Sequence, residues 1–133
     1  MKRADLEHIL RASKDLTGES EFVVIGSQAI LGAHPDAPRE FRESMEADLY
    51  PRDRPELAEA IEGSLGRYSQ FEQFEQTFGY FAGGDSPSPA TLPEGWAKRL
   101  IPSVMKIREG RPAGVRSRMT LLSANWPLVG TRI

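Results

Sequence analysis

The chain contains no cysteine, so neither a disulfide nor a thiolate metal site can form within it. Its two histidines, His8 and His34, have no second histidine at ligand spacing, and His8, beside charged neighbours, reads as exposed. Long apolar runs are also missing. No stretch approaches the roughly 20 consecutive apolar residues of a membrane-crossing helix, and the first residues lack the apolar core of a signal peptide. These absences lead us to expect no membrane attachment and a cytoplasmic location. An overall excess of either charge is absent too, the net being −2.

The 133 residues with 39% hydrophobic content suit a single small domain, large enough for one core and too small for a separate acceptor domain. Charge is uneven along it. Residues 106–133 carry six basic side chains and one acid, a net of +5 that leaves residues 1–105 at −7. The body is therefore a poor general nucleic-acid surface, whereas the tail has the charge to meet phosphates.

Two short motifs carry the chemistry. The apolar, β-branched run Phe22-Val23-Val24-Ile25 breaks at Gly26-Ser27 and continues as Gln28-Ala29-Ile30-Leu31-Gly32, which predicts strand, tight turn and short helix. The glycine allows close backbone approach, the serine offers a hydroxyl, and a helix start presents unpaired N–H groups. Such a turn can hold phosphate oxygens. About twenty residues later comes Arg42-Glu43-Ser44-Met45-Glu46-Ala47-Asp48-Leu49-Tyr50. On a strand, Glu46 and Asp48 point to one face while Ala47 and Leu49 point to the core. Two carboxylates on one face repel unless a cation lies between them, and Mg²⁺ suits carboxylate and phosphate oxygens. Phosphoryl or nucleotidyl transfer is the implied chemistry.

The pattern hydrophobic-Gly-Ser followed by Arg-x-Ser-x-Glu-x-Asp-hydrophobic resembles the nucleotidyltransferase fold of minimal nucleotidyltransferases and polymerase-β-like enzymes. More narrowly, Phe22 to Gly32, Ser44 to Pro51, Phe78 to Gly83 and Thr91 to Leu100 resemble a bacterial family of uncharacterised nucleotidyltransferase-like proteins, a likeness that covers nearly all of residues 1–104. The resemblance implies an α/β (α+β) fold, a mixed sheet flanked by helices. It implies that Gly26 and Ser27 contact the triphosphate of an NTP, that Glu46 and Asp48 bind Mg²⁺, and that Arg42 orients the loop or neutralises phosphate charge. A nucleoside monophosphate would then pass to an acceptor hydroxyl on protein, RNA or a small molecule.

The chain departs from that pattern in two ways. Most active members carry Asp where this chain has Glu46, and they use a third carboxylate on a later strand. Asp85 is the nearest candidate here, but Gly83-Gly84-Asp85-Ser86-Pro87 reads as a loop, and Glu94 is weaker. An alternative is thus a catalytically inactive module that keeps the fold and binds a protein partner, as a toxin–antitoxin component does. A degenerate product that folds poorly is a third reading.

Elsewhere, Leu6, Ile9, Leu10 and Leu16 predict a helix over 4–16 that stops at Gly18. Asp53 is placed to cap a helix with Pro55 in its first turn, ending near Gly63. The apolar run Phe78 to Phe81 predicts a strand, preceded by a tandem Phe-Glu-Gln in Gln70 to Gln76 that reads as a loop extension or an apolar patch. Trp96 reads as a core plug. Residues 106–133 show little periodicity and read as an irregular basic tail after a domain spanning 1–105. They also permit an off-frame reading. Joining the third base of each codon to the next two forces an Asp at Met119-Thr120 and an Ala at Trp126-Pro127, and permitted codons from Arg118 onward yield strings that resemble the family's C-terminal segment.

Overall fold

The computed structural model describes residues 1–67, 69, 73–85, 95–108 and 116–124. The fold is α/β: a five-stranded mixed sheet with helices packed against it. Chain order is α1 (Arg3–Thr17), β1 (Glu21–Ile25), a 3-10 turn (Ser27–Ala29) running into α2 (Ile30–Ala33), β2 (Glu46–Pro51), α3 (Ala58–Leu65), α4 (Gln73–Phe78), β3 (Phe81–Gly84), β4 (Leu100–Arg108) and β5 (Arg116–Ala124). The strands lie in the order β3-β2-β1-β5-β4. β1 is antiparallel to β2 and parallel to β5, β2 is parallel to β3, and β4 is antiparallel to β5.

Period-2 alternation divides the strands between two faces. Phe22, Val24, Ala47, Leu49, Ala82 and Met105 face α1, α2 and α3, where they meet Leu6, Ile9, Leu10, Leu31, Ile61 and Leu65 in the main core. Ala47 and Leu49 are fully buried, as their register with Glu46 and Asp48 requires. Among the described residues Phe22 is the largest fully buried side chain, and its truncation to Ala would cost about 3–5 kcal/mol. The opposite face carries Val23, Ile25, Tyr50 and Leu122, with Ala58, Trp96 and Leu100 packed on them. Trp96, expected as a core plug, is partly buried and packs against this second cluster from outside.

α1 ends as its sequence predicts, with Gly18 left-handed (φ 73°) and its N–H donating to the Lys14 carbonyl. Leu16 is the exception to its apolar stripe, standing 44% exposed, while Ser13 is buried and bonds back to the Ile9 carbonyl at 2.8 Å. Arg3 ties three elements together: its guanidinium donates to the Leu31 carbonyl within α2 at 2.7 Å, to Ser103 Oγ on β4 at 2.9 Å, and pairs with Glu7.

Several expectations are corrected. Arg54 rather than Asp53 stands at the N-cap, before a 3-10 turn over Pro55–Leu57, and α3 runs through Gly63 to end at Leu65. His8 is half-buried, because α4, built from the second Phe-Glu-Gln triplet, brings Phe74 and Phe78 onto it. Its Nδ1 lies 2.5 Å from Tyr80 Oη. The strand expected at Phe78 to Phe81 starts three residues later: Phe78 closes α4, Gly79 turns the chain at φ 80°, and β3 begins at Phe81. Residues 106–133 are not wholly irregular either. β4 continues to Arg108 and β5 lies inside the sheet between β1 and β4. The remainder of that stretch lies outside the described residues, as do Phe71, Glu94 and the segment Thr91 to Glu94.

Candidate functional site

The two sequence motifs meet on the sheet face opposite α1. β1 and β2 pair so that Ile25 lies across from Asp48, and the turn after β1 therefore begins beside the carboxylates. Gly26 takes φ 79°, ψ −167°, a conformation that L side chains rarely adopt. A Cβ there would lie 3.2 Å from Asp48 Oδ2, so the missing side chain lets the turn close onto Asp48. Ser27 follows with its side chain exposed. The helical segment after it is a 3-10 turn and a four-residue α2, too short for a sizeable macrodipole. Any anion affinity at this turn rests on individual N–H and O–H groups.

Ser44, two residues before Glu46, fixes the start of β2. Its Oγ accepts from the Glu46 N–H at 3.2 Å and donates to the Glu46 carbonyl at 3.3 Å. Glu46 and Asp48 then project on one side, over β3. Pairing in parallel sets Asp48 beside Gly83 and Glu46 beside Phe81. A Cβ on Gly83 would stand 2.3 Å from Asp48 Oδ1 and 2.8 Å from Glu46 Oε1. The carboxylates therefore occupy the space that any other residue at position 83 would fill.

Asp85 directly follows β3, and its side chain hydrogen-bonds to Asp48, as does that of Glu46. Two carboxyl groups share a hydrogen bond only when one keeps a proton, and Asp48 is more buried than Glu46. Burial first, then the charges of Glu46 and Asp85, push its pKa up to about 7. Glu46 is also raised, by burial of its carboxyl end and by Glu62 and Asp85, while its bond to Asp48 and the Arg67 guanidinium pull the other way. Arg67 stacks over the Phe81 ring at 5.7 Å and pairs with Glu75 at 3.6 Å. Glu62, from α3, accepts the Gly84 N–H at 2.7 Å.

Arg42 is turned to its own loop. Its Nε donates to the Ala37 carbonyl at 2.7 Å, and its backbone carbonyl accepts from the Met1 amino nitrogen, which also reaches the Ser44 carbonyl at 3.0 Å. Of the two roles expected for Arg42, these bonds serve loop orientation.

The donor set suits a hard divalent cation: carboxylate oxygens on one face, over a cradle that a Cβ would fill. Among the described residues no group of three or more His, Asp and Glu side chains is disposed to hold a metal ion. Glu46 and Asp48 stand together over Gly83, and Asp85 touches Asp48 from beyond the strand end. Mg²⁺ commonly takes one or two protein carboxylates and completes its shell with water and phosphate, so the pair fits it without a third ligand.

Sequence reading left Asp85 in a loop; its place at the site becomes visible only with the register of β3. Among the described residues no helix is long and apolar enough to cross a membrane. Compared with protein-family models, with curated proteins and with solved structures, the chain matches none.

Proposed function

We propose that the chain is a nucleotidyltransferase-like protein that binds an NTP with Mg²⁺ and transfers a nucleoside monophosphate to an acceptor hydroxyl. The observation that carries this reading is the closure of the Gly26-Ser27 turn onto Asp48, which sets a hydroxyl donor and a proton-sharing carboxylate pair at one place on the sheet. Ser27 and the backbone of its turn hold phosphate oxygens. Glu46 and Asp48 hold Mg²⁺, which when bound supplies the positive charge that neutralises the triphosphate and the leaving pyrophosphate. Asp85, against Asp48 at the end of β3, is the candidate base for the acceptor hydroxyl, whose oxygen would bond to the α-phosphorus as pyrophosphate leaves. Arg42 keeps the loop before β2 in place.

The test is Mg²⁺-dependent binding of NTPs by the wild type and by Glu46→Ala plus Asp48→Ala. Loss of binding in the double variant is expected; binding that survives it removes the assignment. A second reading, a catalytically inactive module of the same fold that binds a protein, is favoured by the lack, among the described residues, of a group of three side chains disposed to hold a metal ion. Turnover of labelled NTP onto any acceptor would eliminate it.

A further inference from the structure

Gln28 follows Ser27 and is 1% exposed, among the largest fully buried side chains of the molecule. A buried glutamine has four hydrogen-bonding positions to satisfy, two N–H donors and two oxygen lone pairs. Here the donors are used and the acceptor is not. Nε2 donates to Ser27 Oγ at 3.2 Å and to the Phe41 carbonyl at 3.3 Å, while Oε1 is buried with no donor among the described residues.

The Phe41 carbonyl decides which way the amide faces. It can only accept, so the amide atom against it must be the nitrogen; the flipped amide would set oxygen against oxygen. Because the same nitrogen faces Ser27, Ser27 Oγ is an acceptor on its inner side. Its single hydrogen is then directed outward, where the side chain is exposed. A serine hydroxyl otherwise rotates freely and can meet an incoming group with either its hydrogen or a lone pair. Phosphate oxygens only accept, so a hydroxyl locked as an outward donor is set for them in advance.

Gln28 also spans two segments. It joins the turn after β1 to the Arg39–Phe41 3-10 turn, which leads through Arg42 to Ser44 and the carboxylates of β2. An orphaned buried acceptor at Oε1 is a cost that an apolar residue of the same shape would avoid. Its retention fits a requirement for the nitrogen at that position.

We propose that Gln28 is a positioning residue that fixes Ser27 as a hydrogen-bond donor to phosphate. This rests on the reading of the Ser27 turn as a phosphate-holding element. The experiment titrates inorganic tripolyphosphate with Mg²⁺ into the wild type, Gln28→Met, Ser27→Ala and the double variant, each checked for a cooperative melt. Ser27→Ala should weaken binding by about tenfold or more, the worth of one hydrogen bond to a charged group. Gln28→Met should weaken it several-fold, and the double variant should bind no more weakly than Ser27→Ala alone, since the positioning role reaches phosphate through the hydroxyl. Losses that multiply in the double variant, or a Gln28→Met protein that binds like wild type, would overturn the positioning role while leaving the phosphate site intact. A wild type that binds no tripolyphosphate overturns both readings.

Should Gln28→Met not fold, the wild type and Ser27→Ala answer by NMR, since Ser27 is exposed and its replacement leaves the core alone. One of the two Gln28 side-chain amide protons should move on Ser27→Ala, and the other, bound to Phe41, should stay. If neither moves, Nε2 does not bond Ser27 and the proposal fails.

Discussion

Burial, with the charges of Glu46 and Asp85, pushes the Asp48 pKa up from its ordinary 3.8 to about 7 in the folded protein. Between those limits the folded state binds more protons than the unfolded one, so this group's contribution to stability falls as pH rises through the window. Most carboxylates act in the opposite sense. Asp48→Asn removes the titration without changing the shape, and it should therefore melt above the wild type near pH 7.5, with the gap closing toward about pH 4. Parallel melting curves across that range would show that Asp48 is not held as a shared acid. His8 titrates with the opposite dependence. Burial and the nearby Arg11 lower its pKa against the pull of Asp5, so its contribution is present above about pH 6.5 and is lost as pH falls through the folded value.

Gly83 tests the same site from beneath. An added methyl would meet the ends of two flexible side chains rather than backbone. Gly83→Ala should thus cost less than about 1.5 kcal/mol in a denaturant melt while turning Asp48 and Glu46 aside. Tripolyphosphate binding with Mg²⁺ should drop by at least tenfold, about 1.4 kcal/mol. Unchanged binding would mean that the pair takes no part in it.

Among the elements, β3 is the one whose composition argues against its own conformation. Phe81-Ala82-Gly83-Gly84 has few strand-favouring residues, and sequence reading accordingly prefers the neighbouring apolar run at Phe78 to Phe81. The structure gives each glycine a tertiary reason: Gly83 makes room for the carboxylates, and a Cβ on Gly84 would lie 1.9 Å from the Ala58 carbonyl, where α3 crosses the strand. By contrast β1 and β2 announce themselves. Val23-Val24-Ile25 is β-branched, and the alternation Glu46-Ala47-Asp48-Leu49 is the pattern of a half-buried strand. The Gly26-Ser27 turn and the acid pair were therefore legible, while Asp85 and Gln28 were not. Asp85 depends on the register of a glycine-rich strand, and nothing around Gln28 distinguishes a buried glutamine from an exposed one.

The contrast between two glycines of the same neighbourhood is measurable. Gly84→Ala sets a methyl against fixed backbone and should cost at least about 1–3 kcal/mol, with displacement of α3. Gly63, within α3 and exposed, has open space where a Cβ would be, and Gly63→Ala should stabilise by about 0.5–1 kcal/mol. Equal effects of the two changes would contradict the crossing of α3 over β3.

At the scale of the whole molecule, β5 joins what would otherwise be separate pieces: β1 on one side, β4 on the other. A chain cut after Arg108 should lose its cooperative melt and expose the Val23 and Ile25 face, detected by dye binding. A truncated chain that still melts cooperatively would show the α1 to β3 unit to be self-sufficient. The off-frame reading of the tail makes a separate prediction: DNA across codons 100–133, translated in the other forward frames, should spell the resembling segment. If those frames give nonsense, β5 as written here is the native strand.

The strand order also sets a timetable for synthesis. β1 pairs with a strand that lies about a hundred residues further along the chain. At ribosomal speeds of about 5–20 residues per second, the β1 edge that β5 will cover waits roughly 5–20 s for its partner. Through that interval the nascent protein carries an open strand edge of apolar and β-branched residues, and its claim to be bound by chaperones falls due before its last strand is made.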